Sequence, residues 1–298
     1  MQSIPRTLPL SALALLAAAG AARAQHTETV FFGEANPLGV DLPAERKAVH
    51  PITAPYFHED SFVTTDVRAW YVRHNFPSDT LTGTADVYAV QLRAALTDTI
   101  QLVAYKDGWT EFDTGAVSDG GWNDVAAGIK WAFLQDFETD THAAVGLGYE
   151  LGVGDKDILQ NDDEVRLWGS YNRGFDRLHL GGTLNYMTPV GAEDATGDAD
   201  RLSWHLHADY WLSPQFSPVV EFNGYYVVGE GDNTPLPFSG VDVLNLGGGE
   251  GEAVITNGLG LEWRFSDSLA LRGAYEYPLT DNIDLFGDRY TASLVWAF

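Results

Sequence analysis

Four side chains in one short stretch carry the most evident chemistry: Ser203, His205, His207 and Asp209. They recur at every second residue, so an extended chain sets them on one face about 7 Å apart. A histidine pair at i, i+2 beside a carboxylate has the donors to hold a divalent metal, or to act as a base next to a nucleophile. No hydrolase motif surrounds them, and the same residues serve as well to line a polar, water-facing surface. The second reading is adopted: no catalytic residue, metal ligand or cofactor is assigned. The other histidines offer less. His26, His50 and His58 are scattered through a stretch with four prolines (Pro37, Pro43, Pro51 and Pro55) and read as solvated. Asp155, Asp157, Asp162 and Asp163 lack the central glycine of a calcium loop. The chain has no cysteine, which removes thiol chemistry and thiolate metal sites.

The element that positions the four residues is a strand. Leu202, Trp204, Leu206, Ala208, Tyr210 and Leu212 alternate with them and with Trp211, which gives one apolar and one polar face. The same period of two recurs along the chain, at about 65–76, 86–96, 100–107, 123–134, 143–151, 164–172, 178–186, 202–212, 220–228, up to 265, 269–277 and 289–298. The outward set includes Tyr88, Val90 and Leu92; Val125, Ala127, Ile129, Trp131 and Phe133; and Ala143, Val145, Leu147, Tyr149 and Leu151. Short connections and long ones alternate strictly between these runs. The expectation is an all-β chain of about twelve strands, a transmembrane antiparallel up-and-down β-barrel. The last run, Tyr290, Ala292, Leu294, Trp296 and Phe298, puts an aromatic at the end of the chain. Such an ending resembles the closing strand that Gram-negative barrel-assembly machinery reads.

Residues 1–24 read as a secretory signal peptide: Arg6, an apolar run from Leu8 to Ala19, and the small-x-small site Ala22-Arg23-Ala24. Residues 25–60 read as a periplasmic, proline-containing segment that either hangs free or tucks into the barrel from below, and 61–298 as the barrel. Short turns belong to the periplasm, so both termini are expected there and the barrel in the bacterial outer membrane, against lipid and lipopolysaccharide. The formal net charge is −25, and with Arg6 and Arg23 removed it is −27, which excludes nucleic acid as a partner. The mean hydropathy of −0.13 fits a barrel that hides its apolar face by alternation.

The inward faces then supply the candidate lumen and solute-binding residues. They are Arg93, Lys130, Arg166, His205, His207, Asp209, Glu221, Tyr225, Glu262, Arg264, Arg272 and Glu276, with Arg289, Glu150 and Glu164 beside them. The signs nearly balance, and cross-strand pairs such as Arg272–Glu262 and Arg289–Glu276 are expected; a charge ring that filters solutes is the alternative. The apolar, glycine-rich stretch 229–252 reads as a loop that either folds into the mouth or packs on other loops, and 190–200 as an exposed acidic loop.

Three stretches, Val90 to Asp98, Gly121 to Lys130 and Gly148 to Leu151, resemble the MetA-pathway phenol-degradation barrels of Gram-negative outer membranes, through a Gly-Trp-x-Asp strand entry and a Gly-x-Lys pattern. The resemblance implies an outer-membrane barrel that admits small solutes, hydrophobic ones included, and it supplies no catalytic residues. The expected function is a passive channel. The alternatives are a closed barrel with a structural or surface-interaction role, and an outer-membrane hydrolase using His205, His207 and Asp209.

Overall fold

The computed structural model describes residues 43–77, 82–115, 118–155, 163–190, 200–229, 253–280 and 286–298. The leader, His26, Asp157, Asp162 and most of the 190–200 and 229–252 loops lie outside the described residues. Fourteen strands form one antiparallel sheet. They are β1 (Asp66–Asn75), β2 (Gly83–Ala95), β3 (Ile100–Lys106), β4 (Trp109–Thr114), β5 (Ser118–Trp122), β6 (Val125–Asp136) and β7 (Thr141–Leu151). After these come β8 (Asp163–Phe175), β9 (Leu178–Val190), β10 (Asp200–Tyr210), β11 (Phe216–Gly229), β12 (Ala253–Arg264), β13 (Leu269–Pro278) and β14 (Asp288–Ala297). β1 pairs with β2 on one side and with β14 on the other, from Asp66↔Ala297 to Asn75↔Asp288, so the sheet closes. Twelve strands make the wall. β4 and β5 are an extra hairpin, which extends β2 beyond the point where β3 leaves it.

The outer face is apolar because every second residue of each strand is. Leu147, Leu167, Leu184, Leu206 and Leu259 stand exposed at mid-strand. Aromatic pairs ring the two ends: Tyr71–Tyr88 (5.3 Å) and Tyr275–Tyr290 (4.9 Å) toward the long loops, Trp263–Phe265 and Trp296–Phe298 (both 4.7 Å) by the short turns. An apolar belt between aromatic girdles is the surface of a transmembrane barrel.

Several expected details are corrected. The long connection after the third expected run, between 107 and 123, is expected to be a loop, but part of it is the β4–β5 hairpin. A bulge after Trp131 breaks the alternation of β6, so Phe133 is half-buried and Leu134 takes the outward position. Ala143 points outward but lies buried, because it is small and sits in a recess lined by Phe133 and Tyr171. β10 ends at Tyr210, so Trp211 is not part of the inner wall and its ring lies under Arg177 instead.

Candidate functional site: the occupied lumen

Of the two placements expected for the N-terminal segment, hanging free or tucked into the barrel, the described residues take the second. Val49 to Asp66 is buried throughout, apart from half-buried Pro55. Residues 49–65 belong to no strand, and Asp66 begins β1. The segment comes in at the short-turn end, where Arg46 donates to the Phe137 carbonyl (2.8 Å) in the β6–β7 turn. It climbs to a tight turn at Ala54, which adopts φ +52° and whose carbonyl accepts from the N–H groups of Phe57 and His58, both at 2.9 Å. It then descends to Asp66 and runs into β1. His50 on the rising limb bonds Asp60 on the falling limb. The two histidines read as solvated are therefore buried, because the stretch that carries them lies within the barrel.

Side chains from the wall hold this loop. On one side Arg93 of β2 grips the Glu59 carboxylate with two nitrogens (3.1 and 2.6 Å), and Lys130 of β6 reaches the same carboxylate (3.0 Å) and the Asp60 carbonyl (3.0 Å). A forked guanidinium contact of this kind fixes geometry as well as charge. Ser170 and Thr183 both donate to the Glu59 carbonyl at 2.5 Å. Arg166 of β8 donates to the carbonyls of Tyr56 (2.5 Å) and Phe57 (2.7 Å). It lies against Tyr105 and Trp168 (4.8 and 4.7 Å to the ring centroids).

On the facing side Glu221 of β11 accepts from the N–H groups of Ile52 (2.9 Å) and Thr53 (2.6 Å), and Asp209 of β10 accepts from Val49 N–H (3.1 Å). β10 lies half-way round the twelve-strand ring from β2. The segment thus meets cations from β2, β6 and β8 and carboxylates from β10 and β11, and it offers a carboxylate and carbonyls to the first and N–H donors to the second. Small residues make the room. A Cβ on Gly258 would sit 2.6 Å from the Thr53 methyl, and one on Gly260 would sit 3.1 Å from Ile52 Cδ1.

The remaining expected residues pair within the wall. Arg272 bonds Glu262 at 2.9 Å, and Arg289 reaches Glu276 at 3.7 Å. Arg264 also bonds Glu262 (2.6 Å), and Glu276 accepts from Asn223 (2.8 Å) and Thr256 (2.5 Å). Tyr225 meets the Phe57 ring edge-on at 5.5 Å. Sequence reasoning missed Asp66, Arg68, Lys106 and Arg201. Arg68 bonds Asp66 (2.7 Å), Lys106 bonds Glu150 (2.5 Å) and Arg201 bonds Glu164. A period of two over 66–74 would have placed Asp66, Arg68 and His74 together, but Trp70 and Val72 share that face and blur the contrast.

The stretch that opened the analysis now has a geometry. His207 is held between Glu221 (Nδ1, 2.7 Å) and Asp209 (Nε2, 3.0 Å), and Asp209 also meets His179 (2.7 Å). Ser203 Oγ, His205 and the Asn223 oxygen form a line of contacts at 3.0 and 2.7 Å. In that order the imidazole can take the proton of a serine hydroxyl while the amide fixes the orientation of the ring. Here Ser203 is buried and its oxygen accepts from Asn185 (3.0 Å), while Phe57 (6.1 Å) and His58 (5.2 Å) stack on the imidazole of His205. No acyl group reaches the hydroxyl while the segment is in place. Among the described residues, no group of three or more His, Asp or Glu side chains is arranged to hold a metal ion.

Trp168 accounts for two glycines of the inner wall. Its ring lies flat against β6 and β7, where a Cβ on Gly146 would come within 2.1 Å of the indole and one on Gly128 within 2.8 Å.

A closed twelve-strand wall with an apolar exterior and a polar, charged interior decides the fold class. The chain has the fold of an outer-membrane β-barrel. No family model matches the sequence, and no curated protein does. Solved structures do resemble it. The COG4313 outer membrane channel from Pseudomonas putida F1 aligns over 84% of this chain and 100% of its own, with a TM-score of 0.57 and 13% identity. The KdgM porin aligns over 78% and 99% with a TM-score of 0.47 and 9% identity. The translocator domain of the autotransporter NalP from Neisseria meningitidis aligns over 79% and 89% with a TM-score of 0.44 and 12% identity. At such identities the likeness concerns the fold.

Proposed function

We propose that this chain is a passive channel of the outer membrane for small solutes, and that its own N-terminal segment is the gate. The observation that carries the reading is the nature of the attachment. Segment 49–65 fills the lumen without joining the sheet, held by wall side chains whose bonds water or a solute is able to replace. A segment meant only as permanent filling has no need of Arg93, Lys130, Arg166, Asp209 and Glu221, since an apolar core of similar volume is as stable or more so. The fold shared with outer-membrane channels and the resemblance to phenol-degradation barrels support the channel reading and favour small, partly hydrophobic solutes. On this reading the short turns and both termini face the periplasm, the apolar belt meets lipid and lipopolysaccharide, and the C-terminal strand is read by the assembly machinery.

The experiment uses the absence of cysteine. An ideal Cβ on Gly258 stands 3.5 Å from Thr53 Cβ, within the span of a disulfide. The chain from Gln25 carrying T53C and G258C is reconstituted in a planar bilayer. Oxidation is expected to abolish the current and reduction to restore it. Equal currents in both states would sink the gate. Silence in both states and in the unsubstituted chain, with the barrel folded, would sink the channel.

A further inference from the structure

The N-terminal segment does not use every cation of the lumen. Its bonds come from β2, β3, β6 and β8 to β11, and among the described residues no side chain of β13 or β14 bonds it. Arg272 of β13 shows the consequence. It is 4% exposed, its Nε donates to Glu262 (2.9 Å), and its Nη1 finds no partner among the described residues. A buried donor on a charged group is normally met, because leaving it unmet costs its full desolvation. Lys47 is in a similar position. It lies half-buried in the stretch that leads into the barrel, and it takes part in no hydrogen bond or ion pair among the described residues.

Both side chains line one recess of about 90 Å³ at the short-turn end, between the root of the segment and the inner faces of β12, β13 and β14. The charges around it do not balance. Glu262 is shared by Arg264 (2.6 Å) and Arg272 (2.9 Å), and Asp66 is taken by Arg68 (2.7 and 3.2 Å). His50, which also lines the recess, is bonded to Asp60. Asp267 on the β12–β13 turn is exposed. Lys47, Arg68, Arg264 and Arg272 thus stand against Asp66, Glu262 and Asp267, an excess of one positive charge. One side of the recess is apolar, since Ala270 and Val295 line it and both are buried.

We propose that this recess is a binding site for a short aliphatic monocarboxylate. The carboxylate accepts from Arg272 Nη1 on the wall and from Lys47 Nζ on the segment, and the alkyl chain lies against Ala270 and Val295. A single negative charge neutralises the excess, whereas a phosphate dianion overshoots it and brings no apolar part to bury. Hydrogen bonds between charged partners are the stronger kind, and burying the alkyl chain adds to them. The volume admits a carboxylate of two or three carbons. Lys47 belongs to the entering stretch and Arg272 to the wall, so the site is complete only with the segment in the lumen. It requires no open channel, and in this it goes beyond the reading above.

The test is a ligand-observed NMR titration of sodium propionate on the chain from Gln25, folded in an uncharged detergent, with ionic strength held constant by sodium chloride. One propionate per chain is expected. R272M should weaken it at least about tenfold, the size of a hydrogen bond between charged groups, and leaves Arg264 to pair Glu262. K47M should weaken it about threefold, as a half-buried charge does. Lys47 has no partner to lose, so K47M decides the matter if R272M does not fold. Formate, which lacks the alkyl chain, should bind about tenfold more weakly than propionate. Absence of propionate binding in the unsubstituted chain would overturn the site, as would an affinity unchanged in folded K47M and R272M. Formate binding as tightly as propionate would overturn it as well, because Ala270 and Val295 would then play no part. Phosphate binding more tightly than propionate would overturn the carboxylate assignment. No arm of the test passes a current, so a silent channel leaves this site standing and an absent site leaves the channel standing.

Discussion

Glu59→Gln is the sharpest perturbation the lumen offers. Glu59 is 2% exposed, and its carboxylate meets Arg93 at 3.1 and 2.6 Å and Lys130 at 3.0 Å. Glutamine keeps the shape and one acceptor but removes the charge, and the two buried cations then keep only their longer carboxylate contacts, Lys130–Asp60 at 3.6 Å and Arg93–Asp66 at 3.9 Å. Breaking a buried ion pair by removing one partner costs about 3–5 kcal/mol. Gln retains an oxygen, so the lower end, about 3 kcal/mol, is the working figure. The strain falls mainly on the docked state, because an undocked segment leaves Arg93 and Lys130 in water. At about 1.4 kcal/mol per tenfold, the ratio of undocked to docked segment rises by about two orders of magnitude. The assay is maleimide labelling of a single cysteine at Thr53, which is 1% exposed when docked. With E59Q in the same chain, labelling is expected to quicken about a hundredfold and open-channel dwell to lengthen in step. A labelling rate within about threefold of the parent, with the barrel folded, would show that the Arg93–Lys130 grip does not govern docking and would refute the reasoning.

Three further outcomes are expected. G146V drives a side chain into the Trp168 indole, 2.1 Å from an ideal Cβ, and should lower the urea midpoint by an amount equivalent to about 1–3 kcal/mol, with partial rescue by W168L. H207A leaves Asp209 and Glu221 without the imidazole between them. It should destabilise the barrel by about 2 kcal/mol or more in urea unfolding, while hydrolysis of a p-nitrophenyl ester is expected from neither H207A nor the unsubstituted chain; turnover abolished by S203A would restore the hydrolase alternative. Removal of Phe298, whose N–H bonds the Thr65 carbonyl at 3.0 Å and whose ring packs on Trp296 at 4.7 Å, should reduce the heat-modifiable folded band recovered from outer membranes.

The barrel was legible because its signal is repeated. A period of two, carried by Leu206 and His207 or by Phe222 and Glu221, says which side chains face in without reference to any neighbour. The Arg272–Glu262 pair was legible for a related reason: adjacent strands joined by a short turn fix their own register, and the two residues stand opposite each other. The loop inside the barrel was not legible, because 49–65 has no period. Its position is set by single contacts such as Arg166 to two carbonyls, and backbone carbonyls leave no mark in a sequence. The candidate charges were therefore placed on the inner face, while whether the N-terminal segment hangs free or tucks in among them stayed open. Glu59 and Asp60 look like ordinary surface acids until Arg93 and Lys130 are found against them. The β4–β5 hairpin was hidden for a simpler reason: Gly120 and Gly121 and the acids of 111–119 read as loop residues, and the pairing depends on the length of β2, not on their own pattern.

The N-terminal loop enters and leaves the barrel at the same end, with its tip at Ala54 and Tyr56. Among the described residues, the stretch from Pro43 to β1 does not pass through the wall, so its withdrawal needs no opening of the β1–β14 seam. Its fastenings also lie in series along the chain. A pull on Pro43 from outside the mouth would load Arg46 on the Phe137 carbonyl first, then Val49–Asp209, then Ile52 and Thr53 on Glu221, and only afterwards Tyr56, Phe57 and Glu59. The loop would peel, and it would not shear. The force needed is that of the strongest single fastening, well below what all of them could resist together. A structure that is firm against random displacement is in this way yielding to traction applied at one end.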